Sequence, residues 1–70
     1  MNNTEKIAYL RECDETISPT QLSMILGGMP YSYNLAAREG RLDLPHVFRG
    51  RNLRIFTAPL IKILQGGTYQ

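Results

Sequence analysis

The 70-residue sequence has a single cysteine, Cys13, and a single histidine, His46. No apolar run approaches the roughly 20 residues a bilayer-spanning helix needs. A lone cysteine closes no internal disulfide, so the fold is expected to hold without covalent cross-links and to suit a reducing, cytoplasmic setting. The opening MNNTEK lacks the charged start and apolar stretch of a secretory signal, which points the same way and gives no reason to expect a membrane partner. Catalytic parts are also scarce. Cys13 and His46 stand alone, and no two carboxylates share a helical spacing beside a plausible cleft. The expectation is therefore no enzyme, no metal and no cofactor. His46 is read as an edge-of-core residue and Cys13 as a small apolar contact. Repeats, linkers and low-complexity runs are absent. Seventy residues allow one domain, 1–70, with one small core burying roughly 60% of the extended chain's surface, which excludes an enclosed substrate pocket. An apolar share of 43% with 20% charged residues fits a folded domain and not a disordered tail.

Charge is distributed unevenly. Residues 1–17 hold Lys6 and Arg11 against Glu5, Glu12, Asp14 and Glu15, a net −2. Residues 18–70 hold Arg38, Arg41, Arg49, Arg51, Arg54 and Lys62 against Glu39 and Asp43, a net +4. Five of those six cations lie between Arg38 and Arg54, a concentration that suits a polyanionic partner. The plainer alternative is a solvated Arg-rich loop.

Local punctuation divides the chain into elements. In Ile17-Ser18-Pro19-Thr20-Gln21-Leu22, Ser18 suits a helix N-cap, Pro19 the first helical position and Gln21 the reciprocal partner of a capping box. Ile17 and Leu22 then fall at the two positions of a hydrophobic staple. Leu22, Ile25 and Leu26 form an apolar stripe, and Gly27-Gly28 stops the helix. Pro30 restarts one almost immediately, expected to run from Met29 or Pro30 to Glu39 with Gly40 as its stop. Tyr33, Ala36, Ala37 and Gly40 share one face, small enough at three positions for close approach to the preceding helix. Tyr31, Ser32, Leu35 and Arg38 share the other, with Asn34 at its flank. The two helices form a helix-turn-helix over 17–40.

Beyond Gly40 the period becomes alternating. With Gly50 in a tight turn, Arg49 is expected opposite Asn52, Phe48 opposite Leu53, Val47 opposite Arg54 and His46 opposite Ile55. That register sends Phe48, Leu53 and Ile55 to a core face and Arg49, Asn52 and Arg54 to a basic one, giving a two-stranded hairpin over 44–57. Thr57 is read as the cap of a closing helix, 58–65, that carries Leu60, Ile61, Ile63 and Leu64 and ends at Gly66-Gly67. Thr68-Tyr69-Gln70 is expected to be loose. Residues 1–16 are read as a helical extension, capped by Asn3 or Thr4 and apolar at Ile7, Leu10 and Cys13. The fold class is α+β, mostly α.

A helix of this kind fits the major groove of double-stranded DNA, where Arg, Asn and Ser pair with base edges and Leu meets a thymine methyl. Tyr31, Ser32, Asn34, Leu35 and Arg38 are the candidate reading residues. Tyr31 and Leu35 suit packing against the N-terminal helix as well. The hairpin would follow the phosphate backbone or enter the minor groove, with Arg41, Arg49, Gly50, Arg51, Asn52 and Arg54 as its candidate contacts.

The ordered set ISPTQLSMILGG, YSYNLAAREGRL and LPHVFRGRNLRIFTAPLIKIL resembles the excisionase-type winged helix-turn-helix domains of the wider MerR-like group, over roughly three-quarters of the chain. The shared pattern is a capped helix ending in Leu-Gly, a helix ending in Arg-Glu-Gly, then Leu-Pro, a Gly-Arg hairpin turn, an Arg-Ile strand end and a leucine-rich closing helix. The resemblance implies a small DNA-binding protein of a phage or other mobile element, acting as a recombination directionality factor with an integrase or recombinase partner, or as a transcriptional regulator. By position, Ser32 and Arg38 match the reading helix, and Gly50, Arg51 and Arg54 match the wing. Pro30 and Tyr31 stand where the family often has a basic residue, and Leu35 where a polar contact is common.

Two other readings use the same residues. One is a protein-interaction module on a winged-helix fold, with Tyr31, Leu35 and the acidic first segment facing a protein. The other is a phage DNA-packaging or replication adaptor. No long heptad helix is present, so a monomer binding DNA cooperatively at adjacent sites is expected.

Overall fold

The computed structural model describes residues 1–66; Gly67 and the expected loose tail at Thr68-Tyr69-Gln70 lie outside the described residues. Helix α1 (Asn3–Glu12) leads into a two-residue strand β1 (Thr16–Ile17), then α2 (Pro19–Leu26) and α3 (Pro30–Arg38). Strands β2 (His46–Arg49) and β3 (Asn52–Phe56) follow, and α4 (Thr57–Leu64) closes the order. The architecture is α+β: four helices beside a three-stranded antiparallel sheet ordered β1-β3-β2.

The caps are where the chain enters its helices. Asn2, one residue ahead of Asn3 and two ahead of Thr4, the expected caps, accepts from the Glu5 amide at 2.8 Å while Glu5 accepts from the Asn2 amide at 3.1 Å. Asn2 wins because only from this position does a glutamate stand three residues on. Ser18 and Gln21 form the expected box, with reciprocal bonds of 3.2 and 3.0 Å. Pro19 opens α2 and Pro30 opens α3, each where a missing amide has no helical partner. After α3, Gly40 at φ 72° lets the Gly40 amide reach the Ala37 carbonyl and the Arg41 amide the Ala36 carbonyl, the double bond of a Schellman motif.

The hairpin register is the expected one: Arg49 faces Asn52, Phe48 faces Leu53, Val47 faces Arg54 and His46 faces Ile55. The sheet, however, is not two-stranded. Thr16 pairs with Phe56 and Ile17 with Ile55, so the end of the supposed helical extension is a strand edge laid along β3. This pairing also corrects the role of Thr57. Phe56 takes the N-cap position of α4, and the Thr57 hydroxyl donates to the Asp14 and Glu15 carbonyls, tying the α1–β1 loop to the start of the helix.

Leu10, Ile17, Leu22, Ile25, Ala37, Leu53, Ile55 and Leu60 make the buried core, drawn from every element except β2. Two expected core members are left outside it. Leu26 is 43% exposed: it is the last residue of α2, and in that final turn Ile25 takes the buried position at 2% exposure. Phe48 is 40% exposed, because β2 runs past the helices toward the hairpin tip; its ring instead meets His46 edge-on at a centroid distance of 6.1 Å. His46 itself is half-buried, with Nδ1 2.6 Å from the Leu44 carbonyl.

The α2–α3 turn is held by backbone conformation and one phenol. Gly27 sits at φ 83°, ψ −174°, a region essentially restricted to glycine, and its carbonyl accepts from the Tyr33 hydroxyl. A Cβ at Gly28 would stand 3.3 Å from the Tyr33 hydroxyl oxygen. Gly27→Ala is expected to cost about 1–3 kcal/mol of stability, read as a lower urea midpoint at unchanged slope. An unchanged midpoint would contradict this backbone geometry.

Candidate nucleic-acid interface

Three elements converge on one open groove. Ser18 and Pro19 come from the start of α2, Asn34 from the middle of α3, and Arg49, Arg51, Asn52, Leu53 and Arg54 from the β2–β3 hairpin; the concavity measures about 360 Å³. Sequence distance gives no hint of this meeting, since Asn34 and Arg51 come to one groove through tertiary packing, with α2 against both α3 and β3. The groove has an apolar floor at Pro19 and Leu53 and a rim of guanidinium and amide groups.

The expected interface cations differ in how free they are. Arg38, Arg49 and Arg51 are exposed and take part in no ion pair among the described residues. Arg41 is exposed but engaged: its Nε donates to Glu39 Oε1 at 2.8 Å, and a terminal nitrogen contacts the same oxygen. A solvent-exposed pair of this type is worth about 1 kcal/mol or less, so Arg41 is exchangeable but partly neutralised. Arg54 is half-buried and crosses the sheet to β1, donating from Nε to Thr16 Oγ1 and from a terminal nitrogen to the Thr16 carbonyl, each at 3.1 Å. Alternation correctly puts Arg54 opposite the core face; β1, unseen in the pattern, supplies its acceptors.

On α3, Tyr31, Ser32, Leu35 and Arg38 are all exposed. Tyr31 is 69% and Leu35 36% exposed, while α1 packs against α4. Asn34 is half-buried and lines the groove, and its amide nitrogen donates to the Pro30 carbonyl at 3.1 Å. Gly50 turns the hairpin at φ 63°, which a side chain would strain, and projects Arg51 beyond the sheet.

Sequence reasoning missed Thr16, whose buried hydroxyl orients Arg54, and Ser18 and Pro19 as groove walls. The capping box did locate Ser18 and Pro19, though only as helix-starting residues. A second polar cleft, about 340 Å³, lies on the other side of Arg54 among Tyr9, Glu12, Cys13, Asp14, Thr16 and Gln21; there the Gln21 amide nitrogen donates to the Tyr9 hydroxyl at 3.1 Å. No helix among the described residues is long and apolar enough to cross a membrane. No family model, curated protein or solved structure matches the chain.

Proposed function

We propose that this chain is a small sequence-selective binder of double-stranded DNA, a winged helix-turn-helix in which α3 reads base edges and the β2–β3 hairpin is the wing. The observation that carries the reading is the groove in which Arg49, Arg51 and Arg54 stand beside Asn34 of α3, next to an α3 face that is exposed and polar at Ser32 and Arg38. Such a surface offers what a duplex requires: a helix face for one groove and adjacent cations for the neighbouring phosphates. The resemblance of its ordered motifs to excisionase-type domains suggests the role, a recombination directionality factor or transcriptional regulator of a mobile element or phage.

The test is selection from a random-sequence duplex library followed by a salt titration on the enriched site. If Arg49, Arg51 and Arg54 each make one phosphate contact, the log–log salt slope is expected near −2.7, at about −0.9 per contact. A flat slope with no enriched sequence overturns the proposal.

One observation favours a second reading, a protein-interaction module. Met24, Leu26, Met29 and Tyr31 are all exposed around the end of α2 and the start of α3. Exposed methionine and tyrosine suit protein contacts. This reading requires partner binding that survives Arg51→Ala, with no sequence-selective DNA binding.

A further inference from the structure

Arg54 differs from its neighbours in the groove by being held. It lies between Leu53 and Ile55 on β3, whose side chains enter the core, so its own leaves the opposite face of the sheet. There β1 runs alongside, and Thr16, buried on that strand, accepts from Arg54 twice, through its hydroxyl and its carbonyl. Both acceptors are uncharged, and among the described residues no carboxylate lies within ion-pair distance of the guanidinium. The guanidinium is thus held by neutral partners, with Glu12 and Asp14 lining the cleft on its other side but forming no ion pair with it. Two of the five N–H groups are used; those remaining form a planar fork that matches phosphate oxygens. Arg49 and Arg51, by contrast, are exposed and have to be ordered on binding.

We propose that Arg54 is the pre-positioned phosphate-binding cation of this groove and that Thr16 is the residue that positions it. The ligand is one phosphodiester of the DNA backbone, seated among Arg54, Arg49 and Ser18, and the inference rests on the DNA-binding reading above. Arg49 and Arg51 supply charge wherever the backbone passes. Arg54 decides where along that backbone the hairpin docks, because the rotamer freedom it would lose on binding is already lost in folding. Strand β1, which looks like a mere edge, then has a task in recognition.

The test compares Thr16→Val, which keeps the β-branched shape but removes the hydroxyl acceptor, with Thr16→Ser, which restores it. Thr16→Val is expected to bind the selected duplex about 3–10-fold more weakly at an unchanged salt slope, since one orienting hydrogen bond is lost and no charge is. Thr16→Ser should bind within about 2-fold of the wild type. In nitrogen-15 spectra the Arg54 Nε–H signal should be protected in wild type and Thr16→Ser and lost in Thr16→Val, a change that a purely structural role for the hydroxyl would not tie to DNA affinity. Should Thr16→Val fold poorly, Arg54→Lys keeps the charge and loses the fork, and the same weakening at the same slope is expected. Wild-type affinity in Thr16→Val or Arg54→Lys, or no rescue by serine, overturns the positioning role while leaving DNA binding intact. Absence of salt-dependent DNA binding by the wild type overturns both.

Discussion

Ile55→Ala is expected to leave little of the folded protein near 37 °C, and Phe48→Ala, at a position the sequence pattern assigns to the same core face, is expected to leave most of it. Ile55 is fully buried in the central strand, flanked by Ile17 of β1 and His46 of β2, so its truncation opens a cavity where the sheet meets the helices. Such a change costs about 2–5 kcal/mol. At about 0.05–0.15 kcal/mol per residue, a chain of this size has only about 4–10 kcal/mol in total. The loss corresponds to a fall in Tm of roughly 10–40 °C. Phe48 keeps 40% of its surface in water, so its removal forfeits less transfer free energy and creates no enclosed void. Thermal melts of the two variants decide the matter: equal destabilisation would mean that the core extends to the hairpin tip, contrary to this packing.

The contrast also shows which physical signals the sequence carries. Local chemistry was legible where it is self-contained. Ser18, Pro19 and Gln21 specify the start of α2 by bonds that span three residues, and Gly50 with alternating apolar positions specifies the hairpin register. Signals that depend on distant partners were not. Two residues, Thr16 and Ile17, are too few for an alternation to register, and they become a strand only because β3 offers an open edge. The same pairing diverts the Thr57 hydroxyl from capping to the Asp14 and Glu15 carbonyls, a contact more than forty residues apart in sequence. Periodicity says which way Leu26 and Phe48 point but not how far the covering layer extends, and both lie past its rim.

The candidate site was legible by residue type and not by geometry. The Arg-rich segment, and the face of α3 carrying Ser32 and Arg38, were visible in the sequence, but a charge count treats its cations as equivalent. Folding divides them into an exposed ion pair with Glu39 at Arg41, a guanidinium held by Thr16 at Arg54, and exposed groups at Arg38, Arg49 and Arg51 that take part in no ion pair among the described residues. That division converts a general polyanion preference into distinct expectations for single residues.

The Arg49→Ala, Arg51→Ala double variant is accordingly expected to suffer the largest loss of DNA binding. Each side chain is exposed on the hairpin, beside the groove and outside the core, so both can be removed with little effect on folding. If each neutralises one phosphate, the salt slope should become shallower by about 1.8, and affinity at 0.1 M salt should drop about 60-fold on every sequence alike. Arg38→Ala should behave differently, because Arg38 is exposed at the C-terminal end of α3 and not on the hairpin. Loss of a base contact costs about 1–3 kcal/mol on the selected site and relaxes preference at one position, while binding to unrelated duplexes stays near wild type. Competition titrations with selected and scrambled duplexes at several salt concentrations separate the two patterns. Uniform weakening by Arg38→Ala would move that residue to the backbone-contacting set, and wild-type binding by the double variant would remove the hairpin from the interface altogether. The reading helix would then stand without its wing, and the exposed Met24, Leu26, Met29 and Tyr31 surface would become the better candidate for what the protein binds.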